Sequence, residues 1–553
     1  MSQSGPDPRP FLPIGLMLAL FLHFPFLGQA YHVDDTNFLT LARGVLADPL
    51  RPHLVSINWL GTSQPAFDVL SNPPGIAYVL ALGLLLGGGE ILHHLLLLPF
   101  TLLAAWGGFE LGRRFTRDHE VFGYALALSP AVVVSAHTVM PDLPLLACLL
   151  AGLALFIRGV DEHRGWVGVK GALLLGMGVW FRYSGLMVLP LALVYILCQP
   201  RDRWLRGVGL ALISGIPLVL LITHDLYAYG QVHFIHMGSF QRGEDGPGHL
   251  GRQVLAQVTF LGGAAFVPLM PVWPMIQSRV LTRKSRIATL GGIGLGAGFT
   301  LGMLQGYSLL DCGLLGLCLS TGLVWLGVLP AALGSMWGGV GGRRADDMFL
   351  MVWCLLSLGL NSSLRFMSVR YLLITIPPLL LLGLRYLERG RWPGRELRIC
   401  LVGSGVLSLL LSVADTRLAG VYRDFARRDL PRLMGGGGEG HLYFTGHWGL
   451  QFYLEEQGGQ AVSSEGFPLP DGSWLVEPTW PWPQDLPAGT SPRTEVARLK
   501  WADALPVRTV DDDPPACFYA NGVATGSRPT YLPWSLSTTP LEVIRVSRIG
   551  IQP

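Results

Sequence analysis

The chain has 553 residues, of which half are hydrophobic and only 14% are charged, and its mean hydropathy is +0.44. This composition excludes an ordinary soluble protein, and the formal net charge of +3 is too small to indicate a nucleic-acid partner. Six of the seven cysteines lie in apolar segments, so neither a disulfide framework nor a metal-type cysteine spacing is present. We therefore predict an all-α polytopic membrane protein.

The first apolar segment, residues 11–29, has little basic charge before it and no small-x-small cleavage site after it. We interpret it as a retained membrane anchor rather than a signal peptide. An acidic pair, Asp34 and Asp35, follows and opens a short amphipathic helix. Either Asp35 or Thr36 could cap this helix, which leaves Asp34 without a structural explanation. Because carboxylates at the mouth of a membrane protein are costly to keep there, both acids are functional candidates.

The next apolar segment, residues 73–86, is shorter than the roughly 20 residues that a membrane span needs. It begins after Asn72 with two prolines, and we interpret it as an interfacial or re-entrant helix. The polar Asn72 could point into the same cavity as the acidic pair. If this segment crossed the membrane, the basic loop at Arg113 and every later loop would change sides, against the rule that basic short loops face the cytoplasm.

Clusters of Lys and Arg in the short loops predict the topology. Placing all of them inside gives about 13 membrane spans. These predicted spans are residues 11–29, 91–112, 120–137, 143–158, 167–182, 184–199, 206–228, 254–276, 287–307, 309–335, 346–361, 369–387 and 397–415. The outer side then contains the loop 30–90, the turn at Asp142, the loop 229–253, the turn 361–368 and the C-terminal tail.

Several further charged residues fall on the predicted outer face. Asp142 lies in a tight turn between two spans, flanked by Pro141 and Pro144, where it could also be a plain turn or cap residue. Arg182 lies at the apex of an outer hairpin, where the charge rule predicts no arginine. The other outer exceptions are Arg242, Arg252, Arg365 and Arg370. A guanidinium at membrane depth requires an anion, and its fork suits phosphate. Snorkelling to lipid headgroups or pairing with one of the acids stays open as an alternative.

Three histidines, His224, His233 and His236, approach the same outer surface. Their spacing does not match a metal-binding motif, because no second acidic ligand is adjacent on a helix face, so we favour interfacial or core histidines. No cofactor is assigned on this basis, and a divalent metal ion stays open.

The tail from about residue 421 differs abruptly from the preceding segments, with a glycine run at 435–438, many Pro and Trp, and no apolar run of spanning length. We predict that residues 421–553 form a small soluble α/β domain on the outer side, with a strand at 441–445 and a helix at 448–457. The transmembrane domain is then predicted at residues 1–415, with the outer loop 30–90 as its catalytic loop.

A carboxylate base beside arginines that hold phosphate suggests a type of reaction. A lipid-phosphate leaving group departs as an anion and needs electrostatic stabilisation, whereas an acceptor hydroxyl or amine needs a positioned base. These are the requirements for moving a sugar from a polyprenyl-phosphate carrier. The glycine-rich stretch 291–298 does not indicate a nucleotide site, because no strand precedes it; close helix packing explains it better.

Several motifs occur in a recognisable order along residues 11–400. They are an acidic pair opening an amphipathic helix, Asn-Pro-Pro before an interfacial segment, Pro-Asp between two spans, Phe-Arg-Tyr-Ser-Gly-Leu at a hairpin apex, and Arg-Tyr-Leu-Leu followed by Pro-Pro. With this order the chain resembles the C-type integral-membrane glycosyltransferases, in particular the bacterial branch related to protein O-mannosyltransferases and lipid A aminoarabinose transferase. The resemblance implies the C-type glycosyltransferase fold and a donor sugar linked to polyprenyl phosphate.

The resemblance also implies roles for individual residues. Asp34 corresponds to the catalytic base of the family, Asp142 to the acid of the next outer turn, and Tyr371 to the tyrosine that opens the late span. Asn72 stands where the family often has Lys or His, so Arg182 or Arg370 could supply the missing cation. The tail segment 443–454 resembles a recurring feature of bacterial members, as a lid, an acceptor-binding surface or a packing element.

The leading hypothesis is a glycosyltransferase of the bacterial inner membrane that acts at the periplasmic face on a protein, lipid or glycan acceptor. The alternative from another class is a transporter or flippase of a lipid-linked sugar. Transporters often contain internal repeats and mid-membrane polar residues in broken helices, and here the ionisable residues instead gather at one face. An inactive relative that serves as an assembly subunit is a third hypothesis.

Overall fold

The computed structural model describes residues 11–59, 61–241, 248–265, 284–336, 342–388, 394–435, 440–522 and 530–550, and most of these residues are helical. The helices of the first half are α1 (Phe11–His23), α2 (Asp35–Ala47), α3 (Ala66–Val69), α4 (Gly75–Leu85), α5 (Glu90–Phe115), α6 (His119–Ala127), α7 (Pro130–Ala136), α8 (Asp142–Asp161), α9 (Gly165–Phe181), α10 (Val188–Leu197), α11 (Trp204–Ser214), α12 (Ile216–Tyr229) and α13 (His233–Gln241). Those of the second half are α14 (His249–Ala264), α15 (Lys284–Leu304), α16 (Leu309–Leu326), α17 (Val328–Met336), α18 (Gly342–Ser362), α19 (Ile376–Leu387), α20 (Gly394–Asp424), α21 (Leu430–Leu433) and α22 (Trp448–Glu456).

Within the described ranges, five helical stretches are long and apolar enough to cross a membrane. They are Glu90–Phe115, Asp142–Asp161, Arg201–Tyr229, Leu309–Pro330 and Leu397–Leu433. A sixth candidate consists of α6 and α7, which are bent by 52° relative to each other. The prediction of about 13 spans is therefore not confirmed.

The difference has a physical cause, because many predicted spans are broken into shorter pieces. The span predicted at 184–199 begins with the 3-10 segment Tyr183–Met187, and the one at 369–387 begins with the 3-10 segment Val369–Ile374. Prolines, which cannot donate to the preceding turn, begin α7 and stand at the first positions of α12 and α19. The segment 73–86 contains only the 11-residue helix α4, as its short length predicts.

Glycines allow the central helices to approach each other closely. An added Cβ at Gly152 of α8 would lie 2.5 Å from the Leu175 nitrogen of α9, and Cβ atoms at Gly107 and Gly171 would overlap the backbone of the facing helices. The predicted packing role of residues 291–298 is confirmed at Gly294 and Gly298, whose added Cβ atoms would lie 2.5 and 2.6 Å from α16 backbone atoms. Small residues therefore set the helix contacts, as they commonly do in lipid.

The end of α8 opposite Asp142 carries a separate network of ion pairs. Asp161 accepts hydrogen bonds from Arg114 (2.7 Å), Arg203 (2.9 Å) and the Tyr195 hydroxyl (2.8 Å). Arg114, in the last turn of α5, and Arg203 belong to basic clusters that the charge rule places on a common side. The 20 residues of α8 therefore separate this network from Asp142, a distance of about 30 Å along a helix.

The C-terminal region, residues 440–522 and 530–550, contains a five-stranded mixed sheet. The strands of the chain are β1 (Ser56–Asn58), β2 (Ser63–Pro65), β3 (Leu442–Phe444), β4 (Gln460–Ala461), β5 (Trp474–Glu477), β6 (Arg493–Trp501), β7 (Val507–Arg508), β8 (Val510–Asp512), β9 (Pro515–Cys517), β10 (Ser535–Leu536) and β11 (Glu542–Ile549). The sheet order is β4-β3-β5-β11-β6, with β3 parallel to β4 and β5 and β11 antiparallel to both of its neighbours. The strand and helix predicted at 441–445 and 448–457 are confirmed as β3 and α22.

The boundary between the helices and this region differs from the prediction. The helix expected at 397–415 continues as α20 to Asp424, and a π-helical turn at Phe425–Asp429 joins it to α21. A separately folded soluble domain at 421–553 stays a prediction. Arg242, most of the glycine run 435–438 and the end of the span predicted at 254–276 lie outside the described residues.

Candidate active site

The acidic pair serves two different purposes in the structure. Asp34 is the residue before α2, and its side chain makes no cap hydrogen bond to that helix. Asp35 does not cap the helix either: its buried carboxylate accepts hydrogen bonds from the backbone of His32 (2.9 Å) and of Val139 (3.0 Å). Burial raises the pKa of the Asp35 carboxyl well above its usual value. The prediction that Asp35 or Thr36 caps α2 is therefore wrong, because Asp35 instead joins the loop to the turn before α8.

Asp34 contacts an arginine from a distant part of the chain. Its Oδ2 atom lies 2.5 Å from Nη2 of Arg370, which belongs to the 3-10 segment Val369–Ile374 before α19. The Asp34 side chain is 20% exposed and that of Arg370 is 9% exposed, so the pair lies at the edge of the buried interior. Another Arg370 nitrogen, Nη1, donates to the Met140 sulfur at 2.6 Å.

Asp142 and Arg182 complete the ion pairs. Asp142 is the first residue of α8, and its Oδ1 atom accepts a hydrogen bond from Arg182, which directly follows α9. The other oxygen, Oδ2, lies 4.0 Å from Nε of Arg370. The two arginines and the two acids therefore form one continuous chain of contacts.

Tyr371 lies beneath both guanidinium groups. The Cζ atom of Arg182 is 4.4 Å from the centre of the Tyr371 ring, and that of Arg370 is 5.6 Å away. The face of an aromatic ring attracts cations at such distances. We call Asp34, Asp142, Arg182, Arg370 and Tyr371 the acid–arginine cluster.

Two buried atoms of the cluster have no hydrogen-bond partner among the described residues. They are Oδ2 of Asp142, an acceptor, and Nε of Arg370, a donor. Such unpaired polar atoms are rare in protein interiors, since each costs about 1–3 kcal/mol. The acceptor and the donor lie 4.0 Å apart, and both are buried.

The loop that carries Asn72 packs against the hairpin that carries Arg182. Its backbone carbonyl accepts a hydrogen bond from His53 (3.0 Å). Gly75, three residues later, packs so closely on the Trp180 carbonyl that an added Cβ would overlap it, and Trp180 is two residues before Arg182. The loop that carries Asn72 therefore borders the Arg182 hairpin without an Asn72 side-chain contact to the cluster.

Arg365 is placed by its backbone in the turn between α18 and Arg370. Its carbonyl accepts a hydrogen bond from Gln253 of α14 (2.9 Å). The ion pairs of the cluster come from Arg370 and Arg182. The structure therefore brings together five of the predicted site residues.

The histidines lie apart from the cluster and pack against the outer loop 30–90. His233 bonds the Tyr183 hydroxyl (2.6 Å) and the Phe67 carbonyl (3.0 Å), and its ring lies 4.6 Å from that of His53. Burial lowers the pKa of His233 to about 2 and that of His53 to about 4, so both are neutral at physiological pH. In the described part of the chain, no three His, Cys, Asp or Glu side chains are arranged to hold a metal ion.

Sequence reasoning missed the residues that surround the Asp34 loop. His32 is fully buried among the rings of Tyr422, Trp448 and Tyr519, and it lies 3.7 Å from Asp415 of α20. A signal was available for Asp415, since an acid within a predicted apolar span needs an explanation. The aromatic partners could not be found, because they are hundreds of residues away in the sequence.

Comparison with known proteins gives a family match for part of the chain. Residues 71–227 match the family described as dolichyl-phosphate-mannose-protein mannosyltransferase. This segment contains Asn72, Asp142 and Arg182, while Asp34 and Arg370 lie outside it. The resemblance to glycosyltransferases that use polyprenyl-phosphate sugars is thereby confirmed. No curated protein sequence matches the chain.

Several solved structures have a similar chain path at low sequence identity. ArnT from Cupriavidus metallidurans bound to undecaprenyl phosphate is 18% identical with a TM-score of 0.43, over 85% of this chain and 93% of that chain. The archaeal oligosaccharyltransferase AglB from Archaeoglobus fulgidus, in complex with an inhibitory peptide and a dolichol-phosphate, is 10% identical with a TM-score of 0.46, over 84% and 69%. Arabinosyltransferase EmbB from Mycobacterium smegmatis is 12% identical with a TM-score of 0.34, over 76% and 42%.

Proposed function

We propose that this chain, whose residues 71–227 match the dolichyl-phosphate-mannose-protein mannosyltransferase family, moves a sugar from a polyprenyl-phosphate donor to an acceptor at the outer face of the membrane. The acid–arginine cluster is the observation that carries the proposal. It combines a group that can accept a proton with two cations that can hold a phosphate, and these are the two requirements of the reaction.

In the proposed mechanism Asp34 is the general base. It takes the proton of the acceptor hydroxyl or amine as that group attacks the anomeric carbon of the donor sugar. The bond between the sugar and the phosphate oxygen breaks, and polyprenyl phosphate leaves with the electron pair. The partial exposure of Asp34 at the edge of the cluster suits contact with an acceptor that arrives from outside.

Arg182 and Arg370 are proposed to hold the donor phosphate. Each guanidinium already pairs with a carboxylate, so a phosphate would compete with Asp34 and Asp142 for the same donors. When the phosphate draws Arg370 away, the Asp34 carboxylate becomes available to accept a proton. Donor binding would thereby switch on the base, and Tyr371 would keep both guanidiniums beside the phosphate through its ring face.

The unpaired atoms between Asp142 and Arg370 fit the same scheme. Once the donor phosphate has drawn Arg370 away, a sugar hydroxyl could donate to Oδ2 of Asp142, which would orient the donor ring. The location is proposed to be the bacterial inner membrane, with the cluster on the periplasmic side. The acceptor class stays open among proteins, lipids and glycans.

The alternative is a carrier or flippase of the same lipid-linked sugar. The polar groups of a carrier would have to serve both sides of the membrane, whereas the cluster lies at the Asp142 end of α8 and the other end of α8 is occupied by its own ion pairs. This asymmetry favours the transferase.

The decisive experiment measures transfer of labelled sugar from a panel of polyprenyl-phosphate donors by the purified protein in liposomes, for wild type, Asp34→Asn and Asp68→Asn. Asp68 is the matched control, because it lies in the same outer loop, is exposed and bonds His236 rather than a residue of the cluster. Loss of the base is expected to lower kcat about 10²- to 10⁴-fold, with donor binding retained and with Asp68→Asn close to wild type.

Two results would contradict the proposal. Full activity of Asp34→Asn would remove the base from Asp34 and move that role to Asp142. Donor binding and transbilayer movement without transfer, in both variants and in wild type, would establish the carrier instead.

A further inference from the structure

The residue before Asp34 has an unusual backbone conformation. Val33 has a φ of 49°, in the left-handed region that β-branched residues rarely adopt. A residue in such a conformation costs about 1–3 kcal/mol and persists only where its surroundings enforce it. Val33 is also buried, so the enforcing contacts must come from the protein around it.

Helix α22 of the C-terminal region supplies the first set of these contacts. The backbone nitrogen of Tyr31 donates to the Tyr453 hydroxyl at 2.9 Å. Gly449 lies so close to the Tyr31 carbonyl that any side chain there would overlap it. The ring of Trp448 meets that of His32 edge to face at 5.6 Å. These contacts hold both residues that precede Val33.

A second set of contacts comes from the segment after β9. The ring of Tyr519 meets His32 edge to face at 5.4 Å, and its hydroxyl donates to Asp415 at 2.7 Å. Asp415 also accepts from Thr509 (3.0 Å) and from Gln29 (3.1 Å), which precedes the Asp34 loop. Tyr519 is thus linked to Gln29 through Asp415 and to His32 through its ring.

The same segment also holds the partner of Asp34. The backbone nitrogen of Val369 donates to the Phe518 carbonyl at 3.1 Å, and that of Asn521 donates to the Met367 carbonyl at 2.9 Å. The Asn521 side chain accepts in turn from the Met367 nitrogen at 2.8 Å. Val369 directly precedes Arg370, so the segment 518–521 sets the backbone from which that guanidinium extends.

We infer that the C-terminal region positions the two partners of the catalytic ion pair, with α22 and Tyr519 fixing the Asp34 loop and residues 518–521 fixing Arg370. Asp34 and Arg370 are 336 residues apart in the sequence. The segment 518–521 contacts His32, which lies before Asp34, and Val369, which precedes Arg370. This assignment rests on the proposed function for its catalytic meaning. The sequence leaves three roles open for the tail segment 443–454: a lid, an acceptor-binding surface or a packing element. The inference favours the packing element, with a positioning effect on the ion pair.

The burial of the positioning residues argues against a lid and against an acceptor-binding surface. Trp448, Tyr453, Tyr519 and Asn521 are all buried against the helices, so an acceptor cannot reach their side chains. Tyr453 and Asn521 bond the backbone before Asp34 and Arg370, and Tyr519 bonds Asp415. Tyr453 also donates to Glu90 (3.0 Å), and Asn521 also donates to Gln253 (3.2 Å). They are positioning residues, since none of them contacts Asp34 or Arg370 through its own side chain.

The test compares Tyr519→Phe and Asn521→Ala with the control Tyr443→Phe. Tyr443 lies in the same region but packs against a separate hydrophobic cluster, Val462, Leu469, Leu475 and Ile549. We expect Tyr519→Phe, which acts on the Asp34 loop, to lower kcat about 10- to 100-fold with KM for the donor changed by less than about threefold. Asn521→Ala acts on Arg370, which is proposed to hold the donor phosphate, so we expect it to lower kcat/KM for the donor about 10- to 100-fold. The control is expected to keep wild-type turnover.

A second variant separates positioning from general destabilisation. Val33→Gly removes the steric penalty of the left-handed conformation. The loop can then keep its conformation with fewer contacts from the C-terminal region. Combined with Tyr519→Phe, it is expected to recover at least about tenfold in kcat, a coupling that a merely structural defect would not produce. If Tyr519→Phe and Asn521→Ala turn over like the control, or if Val33→Gly gives no recovery, the inference is wrong.

Hydrogen exchange makes the inference testable apart from the reaction. Tyr519→Phe is expected to raise amide exchange in residues 31–35, and Asn521→Ala in residues 367–371, by at least about tenfold. Exchange equal to that of Tyr443→Phe would overturn the positioning role whatever the activity. Absence of sugar transfer by wild type, with the exchange changes present, would instead contradict only the proposed function.

Discussion

At the scale of single residues, mutual neutralisation explains how four charged groups share one partly buried site. Each acid of the acid–arginine cluster contacts an arginine, and the total formal charge of the four groups is zero. Removing one member of such a group leaves a charge without its partner, which is more damaging than the loss of the contact alone. A substitution that keeps every charge and changes only the shape therefore complements Asp34→Asn.

Tyr371 allows such a test without altering any charge. Tyr371→Phe keeps the ring beneath Arg182, whereas Tyr371→Leu removes it. A cation–ring contact in a desolvated site contributes about 1–2 kcal/mol, so we expect Tyr371→Leu to lower kcat/KM about 5- to 30-fold and Tyr371→Phe to lower it much less. Steady-state transfer assays at constant ionic strength would measure both. Equal losses in the two variants would assign the effect to the hydroxyl group instead.

The sequence predicts much of the cluster because charge in a membrane protein is expensive and therefore informative. Asp34, Asp142, Arg182 and Arg370 were all identified by their placement in or beside apolar segments. The purpose of Asp35 was not predictable, since its partner Val139 is 104 residues away. Which of two adjacent acids faces the cluster depends on the strained Val33, and no local pattern reveals that conformation.

At the scale of elements, the chain path relies on close backbone contacts at glycine as much as on apolar faces. Gly449 shows this where α22 meets the Asp34 loop. A side chain there would overlap the Tyr31 carbonyl. The helix would have to move away from the loop, which it supports through Tyr453.

Gly449→Ala is expected to lower the free energy of unfolding by about 1–3 kcal/mol, the usual penalty of overpacking. The control is Gly420→Ala in α20, where an added Cβ meets nothing within 4 Å and alanine is the better helix former by about 1 kcal/mol. Thermal unfolding in detergent can be followed with a thiol-reactive dye, because six of the seven cysteines are buried. A melting temperature of Gly449→Ala equal to that of Gly420→Ala would contradict the close contact.

The sequence predicts that the long apolar runs are helical, but it does not predict where these helices break. Each long apolar run contains a helix, because burial in lipid requires every backbone group to be bonded within its segment. The breaks at Pro130, Pro217 and Tyr183 depend on neighbouring helices that satisfy the freed backbone groups. For this reason hydropathy does not predict the number of membrane crossings. It does predict that α4 is short, because the apolar run itself is short.

At the scale of the whole molecule, the C-terminal region and the helices share buried polar contacts. Glu542 of β11 accepts a hydrogen bond from the Tyr422 hydroxyl of α20 (2.9 Å) and from the Thr479 nitrogen (2.8 Å). Burial raises the pKa of Glu542 to about 7. This carboxyl therefore titrates near physiological pH at the boundary between the two parts.

The raised pKa gives a pH dependence of stability with a definite sign. Between the ordinary pKa of about 4.5 and about 7, the folded protein holds a proton at Glu542 that the unfolded chain releases. Stability from this group is therefore complete below pH 4.5 and falls as the pH rises to 7, by up to about 3 kcal/mol. We expect Glu542→Gln to flatten the melting-temperature profile between pH 5 and pH 8 relative to wild type. Parallel profiles of the two proteins would contradict the assignment.

Helix α8 connects the cluster to the ion pairs around Asp161, and this has a consequence for the lipid environment. A straight helix held at both ends by charged groups behaves as a rigid spacer of about 30 Å, close to the thickness of a bilayer core. The acid–arginine cluster is therefore kept at a fixed depth relative to the far headgroup layer. Under the proposed function, a bilayer much thinner or thicker than this spacer would shift the phosphate plane of the donor relative to Arg182 and Arg370. Bilayer thickness would then act as a determinant of turnover, independent of the chemical identity of the sugar.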